Sequence, residues 1–273
     1  MSTSTLRSLL GTGYRAGQRL LHDSLGLHEA EDKIIADAQQ YWDAVSAPGQ
    51  EGGNAHWRGN GVFAHDDARW LAIGRNNLDR FRRLAGPQWP PRQPACIVDW
   101  GCGGGANAVH FAPGAARYYG IDITGTTLAE CERQMRAAGL PGFVPVLLPA
   151  AAPEQVRALI TEPCDLLLST YVYELFPSKA YGQRVLRLTA ELLAPGGLAF
   201  IQIKYSDLTL ASQPYRWGYA RNMANMTTYR IEEFWTLAEA CGLSPQAVAL
   251  EPEQPLVHDR RYAYFLLRKP GPA

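Results

Sequence analysis

Neither sign of charge is in excess in this 273-residue chain: Lys plus Arg and Asp plus Glu each number 26. That balance excludes the broad basic surface a nucleic-acid binder uses, so no nucleic-acid partner is expected. No apolar run approaches the roughly 18 residues of a membrane-crossing helix, and a signal-peptide h-region is also missing. The five cysteines (Cys96, Cys102, Cys131, Cys164, Cys241) are scattered and form no Cys-x-x-Cys. Neither a disulfide framework nor a zinc site is therefore expected. A reducing, cytoplasmic location fits these absences best. Apolar residues, by contrast, make up 47% of the chain, enough for a full core at this length.

The N-terminal third is uneven. Residues 5–25 read as a mildly basic amphipathic helix broken at Gly11-Thr12-Gly13, with no acid before Asp23. A helix packed on the domain, or a loose arm, is favoured there over contact with a membrane surface or an organellar transit segment. A second helical pattern covers 28–46 and stops at Pro48-Gly49. Next comes a glycine-rich loop holding His56, Trp57, Arg58 and His65, a natural place for substrate contacts. The pattern over 66–84 predicts a third helix capped by Asp66. His65-Asp66-Asp67 could hold a divalent ion, but adjacent residues seldom converge on one metal, and the cap is preferred. Prolines 87, 90, 91 and 94 form a linker, giving a helical cover over 1–92 and a second domain over 93–273.

From Cys96 onward the pattern changes period. Strand-like runs at 95–99, 117–122, 143–148, 165–169 and 198–203 alternate with helix-like stretches, which predicts a parallel, doubly wound α/β sheet. The helix after the second strand opens with Thr127-x-x-Glu130, a capping box, and further helices are expected at 153–160, 178–193, 215–224 and 231–241. Residues 247–251 and 261–267 can form two last strands.

The chemistry concentrates at Cys96–Asn107, Cys-Ile-Val-Asp-Trp-Gly-Cys-Gly-Gly-Gly-Ala-Asn. A short apolar strand ends in an acid, glycines allow a sharp turn with bare backbone, and a helix begins with free N–H groups. Gly101-x-Gly103-x-x-Ala106 also satisfies the dinucleotide fingerprint. Asp99, two residues ahead of Gly101, extends it to Asp-x-Gly-x-Gly-x-Gly. A carboxylate at the floor of a cleft repels a pyrophosphate and holds an ammonium or sulfonium group. This pattern resembles the first motif of class I S-adenosylmethionine-dependent methyltransferases. Asp122, closing the next apolar run, stands at the spacing where such folds place a carboxylate on ribose hydroxyls. Pro195-Gly196-Gly197 before an apolar strand is similar to the family's approach to its fifth strand. The likeness spans about 93–269.

The resemblance implies a Rossmann-like seven-stranded sheet ending in an antiparallel hairpin, with S-adenosylmethionine as cofactor. It implies donor contacts from Asp99, Gly101, Cys102, Gly103, Gly105 and Asn107, with Asp122, Ile123 and Thr170 at neighbouring strand ends. Tyr171, Tyr173 and Glu174 follow strand four, the family's acceptor edge. Candidate catalytic groups are His56, whose imidazole titrates near working pH, Glu174 and Tyr173; Glu174 could equally be a first-turn helix acid. Candidate acceptor contacts are Trp57, Arg58, Tyr171, Lys204 and Tyr205. The family's acid after strand three is replaced by Leu148-Pro-Ala-Ala-Ala152, leaving adenine to backbone and apolar contacts. The Asn/Asp-Pro-Pro-Tyr/Phe signature of base and glutamine methylation is missing. The reading reached is O-methylation of a small or oligomeric hydroxylated acceptor, a sugar, glycan or natural-product intermediate. A nicotinamide-dependent oxidoreductase and a non-catalytic cofactor-binding subunit remain as alternatives.

Overall fold

A computed structural model of the chain describes residues 25–45, 66–89, 95–209, 212–256 and 259–271, together with Gly17 and Leu20. Among the described elements, helices α1 (Glu31–Val45) and α2 (Asp67–Ala85) precede the sheet. Then β1 (Cys96–Trp100), α3 (Ala108–Phe111), β2 (Arg117–Asp122), α4 (Gly125–Ala137) and β3 (Phe143–Leu147) follow. The second half holds α5 (Val156–Leu159), β4 (Cys164–Ser169), α6 (Lys179–Leu192), β5 (Leu193–Lys204), α7 (Tyr219–Asn222), α8 (Ile231–Ala240), β6 (Ser244–Gln254) and β7 (Asp259–Arg268). The strands form one seven-stranded sheet in the order β3-β2-β1-β4-β5-β7-β6. β1 to β5 pair in parallel, while β7 runs antiparallel to both β5 and β6. This is the expected Rossmann-like sheet with its terminal hairpin.

Each central strand is buried on both faces, and successive side chains go to opposite cores, as the two-residue repeat of a strand requires. Ile97, Leu166, Leu198 and Phe200 face one cluster together with Phe81 and Ala85 of α2, Phe111 of α3 and Leu128 of α4. Val98, Leu167, Ala199 and Ile201 face the other, built with Val185 and Leu186 of α6 and Phe234 of α8. Phe81 sits 5.7 Å, centroid to centroid, from Phe200 of β5. Thus α2, inside the segment read as a cover, shares a core with the sheet.

Several local readings shift. Asp66 caps α2 as expected, its carboxylate accepting from the Arg69 N–H at 2.9 Å. The helix after β2 is capped by Thr124, not Thr127: Thr124 takes the cap position with extended backbone, accepting the Thr127 N–H at 3.3 Å, and Thr127 is buried. β5 starts five residues early because Leu193 pairs with Cys164 before a register shift carries the ladder to Leu198–Leu166. The helix expected over 215–224 shrinks to α7 and one 3₁₀ turn, since Arg216 and Gly218 take left-handed backbone angles. The amphipathic pattern of 5–24 lies outside the described residues, except Gly17 and Leu20.

Candidate functional site

The order β2-β1-β4 places a topological switch between β1 and β4, and a cavity of about 340 Å³ opens beyond the carboxyl ends of these strands. Ligands of open α/β sheets bind at such a crevice. On one side it is lined by the glycine loop from Gly101 to Gly104 with Ala106, Asn107, Asp122 and Ile123. Gly101 (φ +77°), Gly103 (φ +55°) and Gly105 (φ +98°) take backbone angles that side-chain-bearing residues rarely adopt. The Gly101 and Cys102 N–H groups both donate to the Ile121 carbonyl at 2.9 Å, fastening the loop to β2. A Cβ on Gly101 would come within 2.4 Å of Val172, so the loop also packs on the exit of β4.

Asp122 is the charged centre of this end. Its carboxylate accepts from the N–H groups of Ile123 at 2.8 Å, Thr124 at 3.2 Å and Gly103 at 3.1 Å. Burial pushes it up to about 6 against those bonds. Its remaining lone pairs face the cavity, where hydroxyls could meet them. The neighbouring wall is Leu148, Pro149 and Ala150, an apolar shelf without an acid, as read from the sequence. Asn107 and Thr170 complete this side: the Asn107 amide donates to Thr170 Oγ1 at 3.0 Å. The residues present therefore fit S-adenosylmethionine: a side-chain-free cradle, a carboxylate set for hydroxyls, and an apolar shelf for a base.

Sequence reasoning missed what braces this loop. Gly74 of α2 presses directly on it: a Cβ there would lie 1.7 Å from the Ala106 carbonyl oxygen. Three residues on, buried Asn77 donates to Asn107 Oδ1 at 3.0 Å, and its own Oδ1 accepts from Arg80 at 3.4 Å. Arg80 in turn meets Glu251 of β6 at 2.7 Å. The pattern over 66–84 predicts only a capped helix; a glycine and an asparagine amid that pattern were the available clue. From α1, Gln39 donates to the Ile123 carbonyl at 3.0 Å, tying that helix to the same rim.

The opposite side of the cavity is built from side chains. Tyr171, two residues past β4, has a left-handed backbone (φ 61°), and its N–H donates to the side-chain Oε1 of buried Gln202. Glu174 is 2% exposed, lines the cavity, and its Oε2 has no hydrogen-bond partner. Burial pushes Glu174 up to about 7, with Lys204 and the Gln202 side chain pulling the other way. Tyr219 and Tyr262 line the cavity too, and the Tyr219 hydroxyl accepts from Trp42 of α1 at 2.8 Å. Asp259, unforeseen from the sequence, lines it while accepting Lys204 Nζ at 2.7 and 2.6 Å and the Tyr262 hydroxyl at 2.8 Å. Burial raises Asp259, but Lys204 together with the Arg260 N–H and the Tyr262 hydroxyl outweighs it and holds the carboxyl below its usual range.

Among the sequence candidates, Gly101, Cys102, Gly103, Asn107, Asp122, Ile123, Thr170, Tyr171 and Glu174 thus meet around one cavity. Five others are placed differently. Asp99 is fully buried beneath the loop rather than in the cavity, accepting the Tyr118 hydroxyl at 2.7 Å with Oδ1 unpartnered, and burial raises it to about 7. Gly105 backs onto α4, where a Cβ would come 3.0 Å from Cys131 Sγ. Tyr173 is a core residue among Phe176, Tyr229 and Phe234, with ring centroids 4.8–6.4 Å away. Lys204, 2% exposed, is turned onto Asp259, and Tyr205 packs against the core while bridging to Tyr229. His56, Trp57 and Arg58 lie outside the described residues. The Cys102 thiol is held well above its usual value by its hydrogen bond with Cys131 and by burial, which disfavours a thiolate nucleophile. No described helix is long and apolar enough to cross a membrane.

Comparison with known proteins agrees with this geometry. The N-methyltransferase NodS from Bradyrhizobium japonicum WM9, crystallised with S-adenosylhomocysteine, superposes with a TM-score of 0.59 at 15% identity, over 85% of this chain and 98% of its own. The 1,6-didemethyltoxoflavin-N1-methyltransferase of Burkholderia thailandensis, with its acceptor and S-adenosylhomocysteine bound, gives 0.60 at 20% identity over 89% and 91%. Magnesium protoporphyrin IX methyltransferase from Synechocystis PCC 6803 gives 0.54 at 13% identity over 88% and 97%. At these identities the likeness shows the fold. No curated protein sequence matches the chain. The sequence model described as Methyltransferase domain, however, matches residues 67–248, well over half the chain and starting at α2. The chain belongs to that family and is an S-adenosylmethionine-dependent methyltransferase.

Proposed function

We propose that the enzyme methylates a hydroxyl of a small-molecule acceptor, a sugar, glycan or natural-product intermediate, with Glu174 as general base. The observation that carries this is the Glu174 carboxyl: buried, lining the cavity, raised to about 7, with one oxygen unpartnered. A hydroxyl is a poor nucleophile until its proton is taken, and a base poised near working pH takes it most effectively. Bound S-adenosylmethionine supplies an electrophilic methyl group on a sulfonium. The chain's part is placement and proton transfer. In this reading Asp122 accepts the ribose hydroxyls, the Gly101–Gly104 backbone with Asn107 and Thr170 holds the amino-acid end, and Leu148–Ala150 receives the adenine.

Support for a small acceptor comes from the size of the cavity, about 340 Å³, and from the relatives, whose names include a toxoflavin precursor and a magnesium porphyrin. Helices α1 and α2 serve as its cover: Ile35, Ala38 and Trp42 of α1 and Trp70 and Ile73 of α2 line the cavity. His56, Trp57 and Arg58 enter the proposal as further contributors to acceptor binding. The test is a titration with S-adenosylhomocysteine and NADH, followed by methyl transfer to a panel of hydroxylated small molecules. Melting should rise with the first ligand alone, and Glu174→Gln should abolish transfer while keeping that rise. A shift with NADH, or a Glu174→Gln variant that transfers methyl at the normal rate, would overturn the assignment.

A further inference from the structure

The acceptor side of the cavity has a definite sign. Glu174 and Asp259 line it, and among the described residues the lining contains no lysine, arginine or histidine. Lys204 offsets one of these charges: both its short contacts are to Asp259, it is 2% exposed, and its field also reaches Glu174, so the side keeps a single unpaired carboxyl, that of Glu174. Tyr171, Tyr219 and Tyr262 lie within electrostatic reach of Glu174, whose charge opposes the ionisation of each. Their hydroxyls are already engaged, with Tyr264, Trp42 and Asp259 respectively. What these rings offer a ligand is π surface together with the Tyr219 proton, since that hydroxyl only accepts in its Trp42 bond, beside a buried carboxylate oxygen that lacks a partner.

Aromatic faces next to carboxylates recognise cations: the ring quadrupole and the negative field act in the same direction. A carboxylate or phosphate brought into the same low-dielectric space would meet the like charge of Glu174, the nearby Lys204 being already committed to Asp259. Resting on the function proposed above, we infer that the hydroxylated acceptor also carries a basic nitrogen, protonated when bound. Its ammonium lies over the rings of Tyr171, Tyr219 and Tyr262, leaving the hydroxyl to Glu174. Acidic acceptors of the same size are rejected. The inference narrows the substrate class from hydroxylated molecules in general to amino-bearing ones.

Two matched pairs of probes test this on the full chain saturated with S-adenosylhomocysteine: tyramine against 4-hydroxyphenylacetate, and glucosamine against glucuronate, each titrated by calorimetry. In at least one pair the ammonium member should bind about tenfold more tightly, and that ratio should fall about threefold in Glu174→Gln. Unchanged S-adenosylhomocysteine affinity shows that the variant is folded. Tyr219→Leu, which removes a ring face without touching a charge, should lower the ratio similarly and serves where Glu174→Gln does not fold. Equal or tighter binding of the carboxylate members overturns the inference. So does binding of no probe, or a preference that both variants leave intact. Failure of S-adenosylhomocysteine itself to bind would be seen in the first titration and would remove the proposed function with it.

Discussion

The two ends of the cavity are made of different material. The glycine-loop end is backbone: N–H groups, positive-φ glycines and one carboxylate already held by three N–H groups, all within Gly101–Thr124. The Glu174 end is side chains gathered from β4's exit, α7 and the start of β7, with Trp42 reaching in from α1. A backbone cradle depends on chain geometry that few sequences can adopt, so it leaves a motif. A side-chain chamber needs only that particular groups meet in space, and many sequences achieve that. One end therefore suits a ligand common to a whole family, and the other a ligand particular to one member.

If the ends are separable, their mutations should be too. The largest expected effect is Glu174→Gln, which should lower kcat by about 10²–10⁴-fold and leave S-adenosylhomocysteine affinity unchanged by calorimetry. Equal losses in both would break the comparison. As the proposed base, the same group should set the pH dependence. Glu174 must be ionised to accept a proton, so turnover should climb as pH rises through about 7 and level off above it, a limb the variant should lack.

Next is Gly74→Ala, from the opposite end. A Cβ 1.7 Å from the Ala106 oxygen forces α2 off the loop, at a cost of about 3 kcal/mol and a melting drop on the order of 5–10 °C. Donor affinity should fall with it. Asp122→Ala should weaken S-adenosylhomocysteine binding by about 10–100-fold through lost charge-assisted hydrogen bonds, with acceptor preference unaltered.

The smallest effect sharpens the account of Asp99. Its folded-state value, about 7, is well above the ordinary 3.8. Between about pH 4 and 7 the folded chain then binds this proton more tightly than the unfolded chain, so stability from this group declines as pH rises across that window. Asparagine has no such proton to lose. The melting temperature of Asp99→Asn relative to the parent should therefore increase by a few degrees from pH 5 to pH 8, measured without ligand; a constant difference would show that Asp99 is already ionised in the fold.

The parallel strands and the backbone half of the site were legible because their signals are local: apolar runs, glycine spacing, an acid closing each of two strands; the terminal hairpin came from the family resemblance. Even there, Asp99 was placed one layer too high, since an acid at a strand end can face the cleft or the sheet beneath, and Tyr118 decided it. Asn77, Gln202, Asp259 and Tyr262 were not legible. Each acts through a partner at least 30 residues away or through a cavity wall, and nothing beside it in the chain marks the role. Lys204 illustrates the converse: a lysine at the exit of β5 looked like a hand for a substrate, and Asp259, 55 residues later, had already taken it.

The seat of Gly74 on the Ala106 carbonyl also bears on how such enzymes can be recombined. A chimera cut in the proline-rich linker would join a foreign helix to this loop, and any residue but glycine at the crossing would lift the two apart. Exchanging covers to change acceptors should therefore splice upstream of Asp66, carrying α2 along with the sheet as one inseparable piece.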